Sequence, residues 1–254
     1  MHLPQAKELN VDSGFYAACA GLRAQSQALE VAAHNLANVN TPGFRGEQTT
    51  FQSLLAIAHP TVANVFTLAT NSYGVLEGTR LDLSPGTLTS TGNPLDVGIE
   101  GRGFFVVKTA RGTRYTRNGS FQVSSKGELV TSAGDPVLGD TGIIRVPDGA
   151  VAISSDGTLS VNGAVAGHIR LVDFPAGTKI ASEGGTLLSA PAASESPAQQ
   201  ASLREAALES SNVNAIASMV ALIGVQRQAE MLGRAMSLFD TEFNNIAASE
   251  LAKV

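Results

Sequence analysis

Apolar residues recur every seven positions at both ends of the chain, while the middle lacks helical spacing. Phe15, Leu22, Leu29 and Leu36 fall seven apart, with Ala18, Ala32 and Val39 three residues after the first, third and fourth. Leu222, Ala229, Met236 and Phe243 repeat the pattern near the C-terminus, with Val225, Leu232, Phe239 and Ile246 three residues after each. Such spacing gives a helix one narrow apolar seam, which is stable only against another helix. Asp12 or Ser13 is placed to cap a first helix that runs to about Val39, where Asn40-Thr41-Pro42-Gly43 stops it. Ser211 or Asn212 is placed to cap a second. Ile216, Met219, Val220 and Ile223 broaden the apolar face of that second helix beyond what one partner helix covers, and the excess points to other subunits.

The middle is a different material. Twenty of the 26 glycines lie between Gly74 and Gly185. Short β-like runs occupy this stretch: Leu95–Ile99, Phe104–Lys108, Phe121–Val123, Leu129–Thr131, Ile143–Val146, Val151–Ile153, Leu159–Val161 and His168–Val172. Arg111-Gly112, Asn118-Gly119, Lys126-Gly127, Asp148-Gly149, Asp156-Gly157 and Asn162-Gly163 stand between them as turn signals. Strands of this length and spacing predict an antiparallel body and not a βαβ fold.

The fold class expected is therefore α+β: long N- and C-terminal helices paired as a coiled coil, with a central, mostly antiparallel all-β domain. The expected division is an N-terminal helical half at 1–44, an extended connector at 45–79, the β domain at 80–188, a linker at 189–209 and a C-terminal helical half at 210–254. Within the connector, Phe51, Leu54, Leu55 and Ile57 could form a short helix, and Thr61 to Thr70 reads as extended.

Composition narrows the function classes. The net charge is −5 with no block of like charges, so neither nucleic acid nor an anionic membrane is expected as a partner. No apolar run is long enough to cross a membrane, and Met1 to Asp12 lacks the apolar core of a cleaved secretory signal. The one cysteine, Cys19, reads as a small hydrophobe beside the first seam. His2, His34, His59 and His168 have no metal-ligand spacing, no nucleophile elbow exists, and Gly98, Gly101 and Gly103 precede no helix that would make a phosphate cradle. No cofactor and no catalysis are expected. An enzyme reading would rest on Asp96, Glu100, His168 and Asp173 alone.

Four segments resemble the bacterial flagellar rod and hook proteins. Ala33-His34-Asn35-Leu36-Ala37-Asn38-Val39-Asn40-Thr41-Pro42-Gly43-Phe44-Arg45 is similar to their N-terminal signature, and Ala207-Leu208-Glu209-Ser210-Ser211-Asn212-Val213-Asn214 to their C-terminal one. Thr91-Gly92-Asn93-Pro94-Leu95-Asp96-Val97 and Tyr115-Thr116-Arg117-Asn118-Gly119-Ser120-Phe121 resemble their β domain. His34 stands where the family usually carries Asn. The compact length and His168–Phe174 favour the proximal-rod type, with a distal-rod or short hook-type subunit as the alternative. A non-flagellar coiled-coil oligomer is the reading outside the family.

The resemblance implies a structural subunit of the flagellar basal-body rod that transmits torque from motor to hook. It also implies export through the flagellar type III apparatus without a cleaved signal, a place in the periplasm-spanning rod, and other rod subunits as partners. The assembly interface it implies comprises Phe15, Leu22, Leu29, Asn35, Leu36, Asn38 and Phe44 from the first signature region. The second region adds Asn212, Val213, Ile216, Met219, Val220, Ile223, Leu232, Met236, Phe239 and Phe243. On this reading the amides of Asn35 and Asn38 bond to the backbone of a neighbouring helix or subunit; the bland alternative is a solvated face or local helix-end bonding.

Overall fold

The computed structural model describes residues 9–52 and 75–251. It opens with helix α1 (Leu9–Ala37), followed by strand β1 (Glu47–Gln52), which pairs with β2 (Val75–Leu81). Then come β3 (Leu88–Ser90), β4 (Val97–Glu100), β5 (Phe104–Thr109), β6 (Gly112–Thr116), β7 (Phe121–Val123), β8 (Leu129–Thr131), β9 (Leu138–Gly139) and β10 (Gly142–Ile143). The series continues through β11 (Val151–Ile153), β12 (Thr158–Val161), β13 (Ala164–His168), β14 (Leu171–Asp173), β15 (Ala181–Ser182), β16 (Leu188–Ser189) and β17 (Ser196–Pro197). It ends with β18 (Ser202–Glu205), β19 (Ala207–Glu209) and helix α2 (Ala215–Leu251).

The chain divides into two compact units. Ala37–Gly46 and Leu81–Asn214 make a β body; α1, β1, most of β2 and α2 belong to the other unit. In the body, β5 explains the packing. A strand sends alternate side chains to opposite faces, and here both faces are covered. Phe105 and Val107 join one apolar cluster with Val97, Phe121, Leu129 and Ile169. Phe104 and Val106 join the other with Tyr115, Val172 and Leu188. Edge-on aromatic contacts stiffen each side: Phe105 meets Phe121 at 4.9 Å between ring centres, and Tyr115 meets Phe174 at 4.8 Å. Strand β5 is central in the largest sheet, whose order is β15-β16-β6-β5-β14-β17, and among the described residues the strands of the body pair antiparallel.

Turn chemistry places several of these strands. Asn162 (φ 51°) and Gly163 (φ 82°) both hold positive φ between β12 and β13, as a tight primed hairpin demands. The single strand expected at His168–Val172 is split: His168 ends β13, whose start at Ala164 the pattern does not signal, and Leu171 and Val172 open β14, with Ile169 and Arg170 between them.

The expected fold class is overturned. The structure is mostly strands in seven sheets, six of them of only two or three strands, with two α-helices and one 3-10 turn (Ala192–Ser194) among the described residues, and the two α-helices do not form a coiled coil. On α2, Leu222, Val225, Leu232 and Met236 are only half-buried, and none of its described side chains is buried. On α1 the buried positions are Gly21, Ala24 and Ala28, whereas Leu22, Leu29 and Leu36 are half-buried. A seven-residue repeat records which face is apolar; it does not supply the facing knobs that a coiled coil needs.

Three local expectations are also corrected. Helix α1 begins upstream of Asp12 and Ser13, so neither caps it, and α2 begins at Ala215, beyond Ser211 and Asn212. The stretch expected as a linker at 189–209 contributes β18 and β19 to the body, with Leu203, Ala207 and Glu209 buried. Phe51 belongs to strand β1 and not to a short helix; Leu54, Leu55, Ile57 and the run from Thr61 to Thr70 lie outside the described residues.

Candidate functional site

Three of the resembling segments converge on one buried carboxylate. Arg45 follows the Pro42-Gly43 stop, Arg117 ends the run after β6, and Glu209 closes β19. Glu209 Oε1 accepts from Arg45 Nη2 at 2.6 Å and from the Gly86 backbone N–H at 2.7 Å, and its Oε2 accepts from Arg117 Nε at 2.7 Å. All three charged side chains are at most 3% exposed. The Glu209 backbone carbonyl also accepts from the Gly43 N–H at 2.7 Å. Gly43 adopts φ +69°, and a Cβ there would lie 2.3 Å from the Asn118 backbone nitrogen, so no other residue fits the turn.

The two arginines are not equivalent. Arg117 donates from Nη1 and Nη2 to the carbonyls of Ile99, Gly101 and Gly103, at 2.7–3.2 Å. Its guanidinium fork thus fastens the β4–β5 loop. Arg45 Nε and Nη1, though buried, have no hydrogen-bond partner among the described residues. Burial alone would raise the Glu209 carboxyl, but hydrogen bonds and charge from Arg117 and then Arg45 outweigh it and hold the group below its ordinary range. Burial is also the larger influence on Arg117 and draws it downward, with Glu209 opposing.

Asn212 ties the remaining ends. Its Oδ1 accepts from the Gly46 N–H at 2.8 Å, and its Nδ2 donates to the carbonyls of Asp82 at 2.8 Å and Ser84 at 3.1 Å. The Asp82 N–H in turn donates to the Gly46 carbonyl at 2.8 Å. In the other unit, Asn35 Nδ2 donates to the Glu47 carbonyl at 2.7 Å while its Oδ1 accepts from the Glu47 N–H at 2.8 Å. That is the amide-to-peptide pairing expected of Asn35, made with this chain's own β1 and not with a neighbouring helix. Asn38 Oδ1 accepts from Thr41 Oγ1 at 3.2 Å, a helix-end bond.

The structure therefore sorts the expected interface residues. Phe44 is 1% exposed inside the body, so it is a core anchor and unavailable to another subunit. Val213 is half-buried, as are Leu22, Leu29, Leu36, Leu232 and Met236. Ile216 and Val220 are 76% and 65% exposed, and Met219 and Ile223 about half exposed, along one stretch of α2. The side chains of Phe15, Phe239 and Phe243 lie outside the described residues. Arg45, Arg117 and Glu209 were not singled out from sequence. The available signal is a lone formal charge inside each of these three resembling segments.

No catalytic constellation forms from the alternative candidates. Asp96 accepts from Asn93 Nδ2 at 3.1 Å, Glu100 lies 3.8 Å from Arg204, His168 meets Asp140 at 2.8 Å, and Asp173 lies 3.4 Å from Arg102. Each thus has a separate local partner. Among the described residues there is no group of three or more His, Cys, Asp or Glu able to hold a metal ion, and no helix long and apolar enough to cross a membrane.

Three family models match the chain in order. They are the flagella basal body rod protein family over residues 15–45, the flagellar hook protein FlgE/F/G D1 domain over 98–161, and the flagellar basal body rod FlgEFG protein C-terminal family over 204–243. The flagellar basal-body rod protein FlgF of Escherichia coli (strain K12) is 35% identical over 249 residues, spanning 91% of this chain and 95% of the relative. FlgF of Caulobacter vibrioides is 30% identical over 96% of this chain and 100% of its own length. The flagellar basal-body rod protein FlgG of Buchnera aphidicola is 30% identical, covering 87% and 93%.

Proposed function

From the premise that this chain belongs to the flagellar basal-body rod protein family, we propose that it is a FlgF-like structural subunit of the proximal rod. It assembles with other rod subunits, and the rod carries torque from motor to hook. The observation that carries the assembly reading is the run of Ile216, Met219, Val220 and Ile223, half or more exposed on one stretch of α2. An apolar stripe of this kind is costly in water and is covered when neighbouring copies pack. The proposed interface keeps these residues with the half-buried Leu22, Leu29, Leu36, Val213, Leu232 and Met236 and with Phe15, Phe239 and Phe243, while Asn35, Asn38, Phe44 and Asn212 act within the chain.

Passage through the flagellar type III export apparatus, without a cleaved signal, fits a chain whose relatives are basal-body rod proteins. The role is structural and requires no catalytic group or cofactor. A distal-rod position is the second reading, favoured by the FlgG relatives. Cryo-electron microscopy of basal bodies purified from cells carrying a tagged copy tests both. Density for the tag at the motor-proximal end of the rod is the expected result; density next to the hook selects the distal position, and its absence from basal bodies overturns the proposal.

A further inference from the structure

Strands β18 and β19 enter the body last and pair with strands made much earlier in the chain. Strand β18 lies antiparallel to β4, from Ser202 opposite Glu100 to Glu205 opposite Val97. Strand β19 lies antiparallel to β3, from Ala207 opposite Ser90 to Glu209 opposite Leu88. Each of these two sheets has only two strands, so among the described residues β3 and β4 have no other sheet partner. Leu203 and Ala207 fill buried apolar positions, and Glu209 brings the one carboxylate that joins both Arg45 and Arg117. With the segment in place but its carboxylate removed, two guanidiniums are left buried without their counter-charge, a state far costlier than loss of an exposed pair. The turn that precedes the segment, Gln199-Gln200, is exposed.

We infer that β3, β4, Arg45 and Arg117 form a docking slot for one extended segment of this chain, residues 202–212, anchored by Glu209, and that the body closes only when that segment docks. The slot selects its occupant by chemistry: apolar side chains at 203 and 207, an acid at 209 and an amide at 212. Arg45 and Glu209 are 164 residues apart, so a chain presented N-terminus first carries an open body until its C-terminal part follows. That holds whether the chain leaves a ribosome or an export channel.

The test is recombination of two pieces of the full chain. A protease site is placed in the exposed Gln199-Gln200 turn, the folded protein is cut there, and the pieces are separated in denaturant. On removal of denaturant the 1–200 piece alone is expected to show no cooperative melt and rapid exchange at the Phe105 and Val107 amides. Adding the wild-type 201–254 piece restores both. The same piece carrying Glu209→Ala binds weaker by on the order of 100-fold or more, the cost of stranding buried charge. Both versions carry α2, so whatever the helix contributes cancels in the comparison. A cooperative melt from the 1–200 piece alone overturns the inference. So does failure of the wild-type pieces to recombine, or equal binding by the Glu209→Ala piece.

Discussion

Arg117 and Glu209, 92 residues apart in sequence, meet at 2.7 Å with their side chains 3% and 1% exposed. The carboxylate is held below its ordinary range because Arg117 and Arg45 outweigh the penalty of burial. A carboxyl depressed in the folded state stabilises it fully above the unfolded value and loses that contribution as pH falls through the folded value. The body should therefore keep this contribution at neutral pH and lose it in acid, below the usual carboxylate range. Glu209→Gln should lower stability at pH 7 by about 2–3 kcal/mol and flatten the acid limb of the stability profile. Urea melts at several pH values check this; an unchanged acid limb would contradict it.

Arg117 should matter more than Arg45. Arg117→Met removes the partner of Glu209 and also leaves the carbonyls of Ile99, Gly101 and Gly103 without their donor, so a loss of about 3–5 kcal/mol is expected. Arg45→Met also removes two buried nitrogen donors, Nε and Nη1, that have no partner among the described residues, and should cost about 1–2 kcal/mol. Denaturant midpoints of the two variants, compared at equal slope, measure the difference.

Asn35→Asp keeps an acceptor for the Glu47 N–H but can no longer donate to the Glu47 carbonyl, and it adds charge beside that oxygen. A cost of about 1–3 kcal/mol is expected, confined to the helix–strand unit. Hydrogen exchange should accelerate at Glu47 and leave Phe105 unchanged. Uniform acceleration would show that the bond does more than hold β1.

Ala206 sits at φ 54° between β18 and β19, where its carbonyl accepts from the Thr91 N–H at 2.8 Å. A side chain at positive φ costs about 1–2 kcal/mol, part of which glycine recovers against its greater freedom in the unfolded chain. Ala206→Gly should raise the melting temperature by about 1–2 °C, and Ala206→Val should lower it by several times as much. Calorimetry of the pair decides the sign.

Val220→Asp changes a side chain that is 65% exposed on α2. The purified variant should melt as the wild type does, within about 0.5 kcal/mol. Cells carrying it should not swim, because a carboxylate buried between copies costs several kcal/mol. Normal swimming would remove this face from the assembly surface.

Much of the body is legible in the sequence. Phe121–Val123, Leu129–Thr131 and Val151–Ile153 appear as strands with the expected limits, since alternating or fully apolar runs between turn residues are local signals. Strands β18 and β19 were hidden because Ser202–Glu205 and Ala207–Glu209 follow an Ala/Ser/Pro/Gln-rich stretch and owe their conformation to distant partners. The coiled-coil expectation fails for the converse reason. A stripe such as Leu222, Val225, Leu232 and Met236 declares an apolar face without naming what covers it, and that information lies outside the local sequence. The Glu209 cluster is likewise non-local: each charge is legible alone, and only the fold shows that the three share one place.

Asn212 has a mechanical consequence. Chain leaves the body after Gly46, returns at Leu81 and leaves again after Asn214, and the side chain of Asn212 bonds Gly46 and Asp82 together. Inside the body the stretches at Gly46, Asp82 and Asn212 are therefore tied to one another, while the entry at Ala37 is separate. A pull arriving along one of those three stretches is passed to the other two as shear across short polar bonds. One amide side chain thus makes three distant stretches of sequence mechanical neighbours, so load entering at any of them is divided among all three before it reaches the apolar clusters.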